Sequence, residues 1–125
     1  MKTIKFENQT RPLSGDLNVV LCDSFLCRLR GLTFRSSLAS DKGLLLVEAH
    51  ASLLSTTIHM MFVFMDLGII WINSEKVVVD SVLARPWHLA YIPRQPAMYT
   101  LEIHPARLNE FKIGDHTDFS IIYKE

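Results

Sequence analysis

Polar and apolar residues alternate through Ile4-Lys5-Phe6-Glu7, the two-residue period of a strand with one buried face. Arg11-Pro12-Leu13-Ser14-Gly15-Asp16 breaks the alternation as a turn, and Leu17 to Cys22 reads as a second strand. Asp23 or Ser24 can cap a short helix, because a side-chain oxygen there accepts from a free amide of the first turn, and Gly31 is placed to end it. Gly43-Leu44-Leu45-Leu46-Val47-Glu48 is apolar at consecutive positions, the pattern of a central strand covered on both sides. Leu54 to Met61 and Leu67 to Ile72 predict two further strands, with a bend over Phe62 to Asp66. Asn73-Ser74-Glu75-Lys76 is a turn, and Val77 to Leu83 is the return strand of a hairpin.

From Ala84 to Pro96 three prolines and no periodicity mark an irregular connection, longer than compact domains usually keep without a use for it. Met98 to Ile103 resumes a strand, with Tyr99, Leu101 and Ile103 on one side and Glu102 on the other. Pro105 suits the first position of a short helix that carries Leu108 and Phe111 on one face. Gly114-Asp115 turns into a last strand, Thr117 to Tyr123. Strands joined by short turns favour antiparallel pairing over helical crossovers. The fold class expected is therefore α+β, a mainly antiparallel, curled or barrel-like β-sheet with one or two short helices.

The 125 residues are enough for a single domain with an ordinary core, and too few for two. At 49% apolar residues the chain has more hydrophobic side chains than its small interior needs, which predicts an exposed patch used by a protein partner or for homo-oligomer formation. Thirteen basic residues balance thirteen acidic ones, so no electrostatic footprint for nucleic acid exists. Arg28, Arg30 and Arg35 could form a local basic face, but a salt-bridged or solvated surface is the plainer reading. The N-terminal residues lack the apolar run of a signal peptide, and the longest apolar stretch, Ile58 to Ile72, is interrupted by His59, Asp66 and Gly68 and falls short of a membrane span. A cytoplasmic protein without a membrane contact is expected. Cys22 and Cys27 are accordingly read as buried free thiols, since the loop between them is small and the compartment reducing.

Candidate chemistry centres on His59. Strand alternation groups Thr57, His59 and Met61, a hydroxyl, an imidazole and a thioether, on one face. Such a set supplies a few oriented hydrogen bonds in an apolar pocket wall. A histidine satisfied by a backbone group is the plainer reading. Arg85, Trp87 and His88 lie on the long connection, where they can cover that pocket. Glu102 is expected to face solvent or this connection and to bond its amides or Arg85. Met60, Met61 and Met65 beside His59 offer soft donors to copper(I), but no thiolate is near, so they are read as core filler and no metal or cofactor is expected. No nucleophile elbow, phosphate-binding glycine loop or zinc pattern is present. The leading expectation is a non-catalytic domain that binds a small molecule or a protein. The alternative is a small acid–base enzyme using His59 with Glu102 or Asp66.

The order of several separated segments narrows the picture. Arg28-Leu29-Arg30-Gly31-Leu32, Ile58-His59, Leu101-Glu102 and Gly114-Asp115 together resemble the domain-of-unknown-function 192 family, from about Cys27 to Phe119. The resemblance implies a small α+β domain without an established activity. Another form of the family segment carries tryptophan, methionine, lysine and asparagine over His59-Met60-Met61-Phe62. Both forms usually run on into proline, an aliphatic residue and aspartate, where this chain has Asp66-Leu67-Gly68. The polar groups of the family pattern are thus absent at Met61, Phe62 and Gly68; if the family's activity needs them, this chain lacks it or does something else.

Overall fold

A computed structural model describes residues 2–24, 27–28, 31–32 and 36–124, the last four by backbone alone. Arg30 and Arg35 of the basic cluster lie outside the described residues. Seven strands make one curled half-barrel: β1 (Lys2–Asn8), β2 (Asn18–Cys22), β3 (Lys42–Ser52), β4 (Leu67–Ile72), β5 (Val78–Ala84), β6 (Ala97–Ile103) and β7 (Thr117–Lys124). Their spatial order is β5-β4-β6-β3-β2-β1-β7. All neighbours pair antiparallel except β2 and β3, which are parallel, so the sheet is mixed. The parallel pair requires the crossover that residues 23–41 provide.

The triple leucine of β3 divides as a strand covered on both sides must. Leu44 and Leu46 join one apolar cluster with Ile69, Trp71 and Met60, while Leu45 joins another with Ile4, Phe6, Ile70 and Leu101. A 3-10 helix, Pro105–Glu110, packs beside the second cluster. The His104 ring caps it by accepting from the Ala106 amide at 3.0 Å, which frees the chain to turn at Pro105. The two outer strands approach at one corner. There Val77 and His116 form a bridge, and the Gly114 amide donates to the Val78 carbonyl at 2.8 Å.

The turn residues act as their chemistry dictates. Asn73 Oδ1 accepts from the amides of Glu75 and Val77, and Lys76 takes a positive φ of 65° to complete the β4–β5 hairpin. Gly114, with φ 95°, lets Asp115 fold back onto the Lys112 amide. Asp115 does more than hold its own turn, since its carboxylate also accepts from Asn8 Nδ2 and, in two bonds of 2.8 Å, from Arg11. It thereby ties the start of β7 to the end of β1.

Two expectations fail. Leu54 to Met61 is no strand: only Ile58 bridges, to Tyr91. The hydroxyls explain it, because Thr56 Oγ1 donates to the Ser52 carbonyl at 2.6 Å and Thr57 Oγ1 to the Leu53 carbonyl at 3.0 Å, drawing the chain back into turns instead of a ladder. The cysteines are not free thiols but a Cys22–Cys27 disulfide. Ser24 caps a helical turn through the Cys27 amide, and that turn returns Cys27 to a Cα–Cα distance of 5.5 Å from Cys22, within disulfide range.

Candidate functional site

Glu102 is the centre of the candidate site. Its expected outward orientation is wrong, since it is only 4% exposed. The alternation of β6 does place it opposite Leu101 and Ile103, but the sheet is covered on that face too, by the 53–66 segment and the helical turn. The expected bond to Arg85 is also absent, because Arg85 Nη1 lies 3.2 Å from Asp66 Oδ2 at the surface. Oε1 of Glu102 has no hydrogen-bond partner among the described residues. Burial disfavours the carboxylate and pushes its pKa up to about 7.

The carboxyl faces a cavity of about 50 Å³. A cavity of that size holds roughly three to five waters. Leu46, Met60, Val63 and Leu67 supply apolar wall, and Thr57 and His59 supply polar groups at the rim. Arg28 and Gly31 close the opposite side. Gly31 has φ 51°, and a Cβ on it would stand 3.9 Å from Glu102 Oε1, so the helical turn passes close over the carboxyl. The Arg28 guanidinium is held: Nε pairs with Glu48 at 2.8 Å, and Nη1 donates to the carbonyls of Asp23 and Val47.

Of the residues singled out from sequence, Thr57, His59 and Glu102 therefore meet at one cavity. Met61, Arg85, Trp87 and His88 do not line it. Trp87 lies outside, 49% exposed, with its ring centroid 4.9 Å from that of Phe62 and 5.9 Å from that of Phe64. His88 stacks on Tyr91 at 4.3 Å. The long connection still acts on the site through its backbone. The Met60 amide donates to the His88 carbonyl at 2.8 Å, and Ile58 and Tyr91 exchange bonds of 2.9 and 2.7 Å, fixing the segment that carries His59. Trp71 holds the same segment from beneath, its indole N–H donating to the Thr56 carbonyl at 2.7 Å.

Sequence reasoning missed Arg28 and Gly31. The available signal was that the arginine-glycine-leucine and leucine-glutamate segments both carry the family resemblance, and these two segments meet at the cavity. Among the described residues no group of three or more His, Cys, Asp or Glu is placed to hold a metal ion. Among them, too, no helix is long and apolar enough to cross a membrane.

Fold and cavity together define a small α+β half-barrel with one buried acidic pocket beneath an irregular cover. The chain belongs to the domain-of-unknown-function 192 family, described as "Uncharacterized ACR", whose model matches residues 6–121. It is similar to a UPF0127 protein of Thermococcus gammatolerans, 35% identical over 95 residues that make up 76% of this chain and 60% of the relative. A UPF0127 protein of Pyrococcus abyssi is 25% identical over 114 residues, 90% of this chain and 94% of that one. This chain thus spans about three-fifths of some relatives and nearly all of another. Two solved structures share the fold. One, a candidate transcription regulator from Sinorhizobium meliloti, aligns with a TM-score of 0.81 at 20% identity, over 94% of this chain and 92% of its own. The other, a protein of unknown function from Novosphingobium aromaticivorans, aligns at 0.76 and 22% identity, over 93% and 83%.

Proposed function

We propose that this domain is a non-catalytic small-molecule-binding module whose ligand enters the cavity beneath residues 57–63 and bonds to Glu102. The observation that carries the reading is the unpartnered Oε1 of Glu102, buried and aimed into that cavity. A buried polar atom left without a partner destabilises the fold, and native proteins keep such atoms mainly where a water, an ion or a ligand completes them. Thr57 and His59 at the rim give the ligand further polar contacts. Native mass spectrometry of gently purified protein tests the reading. A discrete added mass, lost in Glu102→Gln, is expected, while a bare protein that also takes up nothing from a metabolite mixture would sink it.

A protein-interaction role is the second reading, favoured by the half-exposed aromatic group of Phe62, Phe64 and Trp87. It is compatible with the first, because the aromatic group stands outside the cavity.

For the compartment, the cytoplasmic expectation stands opposed by the Cys22–Cys27 bond, since structural disulfides are rare in reducing compartments. Maleimide trapping in intact cells decides between them: two labelled thiols mean a reducing compartment, none an oxidising one.

A further inference from the structure

We infer that the ligand of the Glu102 cavity is a short primary alkylammonium, or the ammonium end of a slim aliphatic molecule, with the cation on Glu102 and the alkyl stem against the apolar wall. This rests on the proposal that the cavity binds a small molecule and adds the chemical class. Many hydrogen-bonding groups of the wall are already engaged. The amides of Gly31, Thr57, Ile58, Met60 and Val63 all donate to carbonyls within the protein. The Thr57 hydroxyl donates to Leu53, leaving its lone pairs as acceptors. Beside the donors of the Arg28 guanidinium and the His59 ring, what the cavity offers is therefore acceptor capacity, above all the buried Glu102 Oε1. A ligand that completes it brings donors.

Charge points the same way. Among the described residues, the groups lining the cavity beside Glu102 that can carry charge are Arg28 and His59. Arg28 is matched by Glu48 at 2.8 Å. With Glu102 ionised, the Arg28–Glu48–Glu102 set carries one uncompensated negative charge. An ammonium neutralises it, whereas a carboxylate ligand adds a second. Burial raises the pKa of Glu102 to about 7 because its surroundings support that charge poorly, so a cation is expected to bind together with release of the proton. Size limits the choice: about 50 Å³ admits an ammonium and two or three carbons, walled by Leu46, Met60, Val63 and Leu67. Longer stems must leave past His59.

The test titrates three probes of similar size, ethylammonium, ethanol and acetate, into protein carrying ¹³C-labelled glutamate at pH 6 to 6.5. Glu102 Cδ is followed by NMR, and proton release by calorimetry in two buffers of different ionisation enthalpy. Ethylammonium is expected to saturate in the millimolar range that a fragment allows, to shift the Glu102 signal toward the carboxylate and to release a proton. Ethanol and acetate should bind at least tenfold more weakly, and Glu102→Gln should weaken ethylammonium by at least tenfold. Ethanol or acetate binding as tightly as ethylammonium would overturn the ammonium assignment while leaving a binding pocket. No response of Glu102 to ethylammonium overturns it as well, and does so in wild-type protein whether or not Glu102→Gln folds. The pocket itself then stands or falls on the added mass in native mass spectrometry.

Discussion

Two buried carboxyl groups with opposite environments set how stability depends on pH. Glu102, raised from 4.5 to about 7, binds its proton more tightly folded than unfolded. The folded state therefore loses stability as pH rises through that interval, by roughly 3–4 kcal/mol at about 1.4 kcal/mol per unit. Asp115 is held well below the usual carboxylate range, first by the hydrogen bonds from Arg11 and also by those from Asn8 and the Lys112 amide. Its contribution is present above the unfolded pKa and disappears as pH falls below it. These two groups together place the maximum of stability between their unfolded values, at about pH 4. Thermal denaturation from pH 3 to 9 checks this, and Glu102→Gln should flatten the alkaline side specifically. An unchanged alkaline slope in that variant would remove Glu102 as its cause. Asp115→Asn should cost about 1–3 kcal/mol by urea denaturation at pH 7, because the two Arg11 bonds and the Asn8 bond lose their charged acceptor. The turn role of Asp115 was legible, since Gly-Asp is local chemistry, but Asn8 and Arg11 lie more than a hundred residues away in sequence. Glu102 was legible as a candidate and not in its direction: alternation says that Leu101 and Glu102 face opposite ways, and is silent on whether the second face is also covered.

Most elements could be read from the chain, and the one that could not is the cover of the site. β4 begins and ends where its apolar run does, β5 is displaced by one residue at both ends from the expected span, and β6 and β7 are each one residue longer at one end. Residues 54–61 have the composition of a strand, yet their hydroxyls bond back to Ser52 and Leu53, a local competition that hydrophobic periodicity does not register. What fixes this cover is a small number of anchors. Trp71→Phe removes the donor to the Thr56 carbonyl and is expected to destabilise by about 1–3 kcal/mol. Its particular signature is faster amide exchange at Ile58 and Met60, whose N–H groups depend on the segment staying beside Tyr91 and His88. Uniformly faster exchange across all seven strands would instead mean that Trp71 supports the whole core and not this cover.

The whole molecule shows the exposed apolar surface that its composition predicts. Phe62, Phe64 and Trp87 form an aromatic group, and Leu54, Leu89 and Ile92 are exposed as well. If this surface mediates the proposed self-association, Phe64→Lys with Trp87→Glu converts an oligomer to a monomer by light scattering without lowering the melting temperature; a wild-type monomer at high concentration defeats the idea. Barrel-like curvature and antiparallel pairing followed from the short connections, but the single parallel pair and the corner between Val77 and His116 arise from contacts distant in sequence, for which local pattern carries no information. The pairing of β1 with β7 has a mechanical consequence. Lys2 stands opposite Lys124, so the two ends of the described chain leave the sheet side by side from one end of an antiparallel ladder. A load applied between them reaches one rung at a time, as in opening a zipper, where shear along the strands would load every rung together. Stretched from its ends by optical tweezers, the half-barrel should yield at low force and peel from β7 inward, however high its resistance to heat.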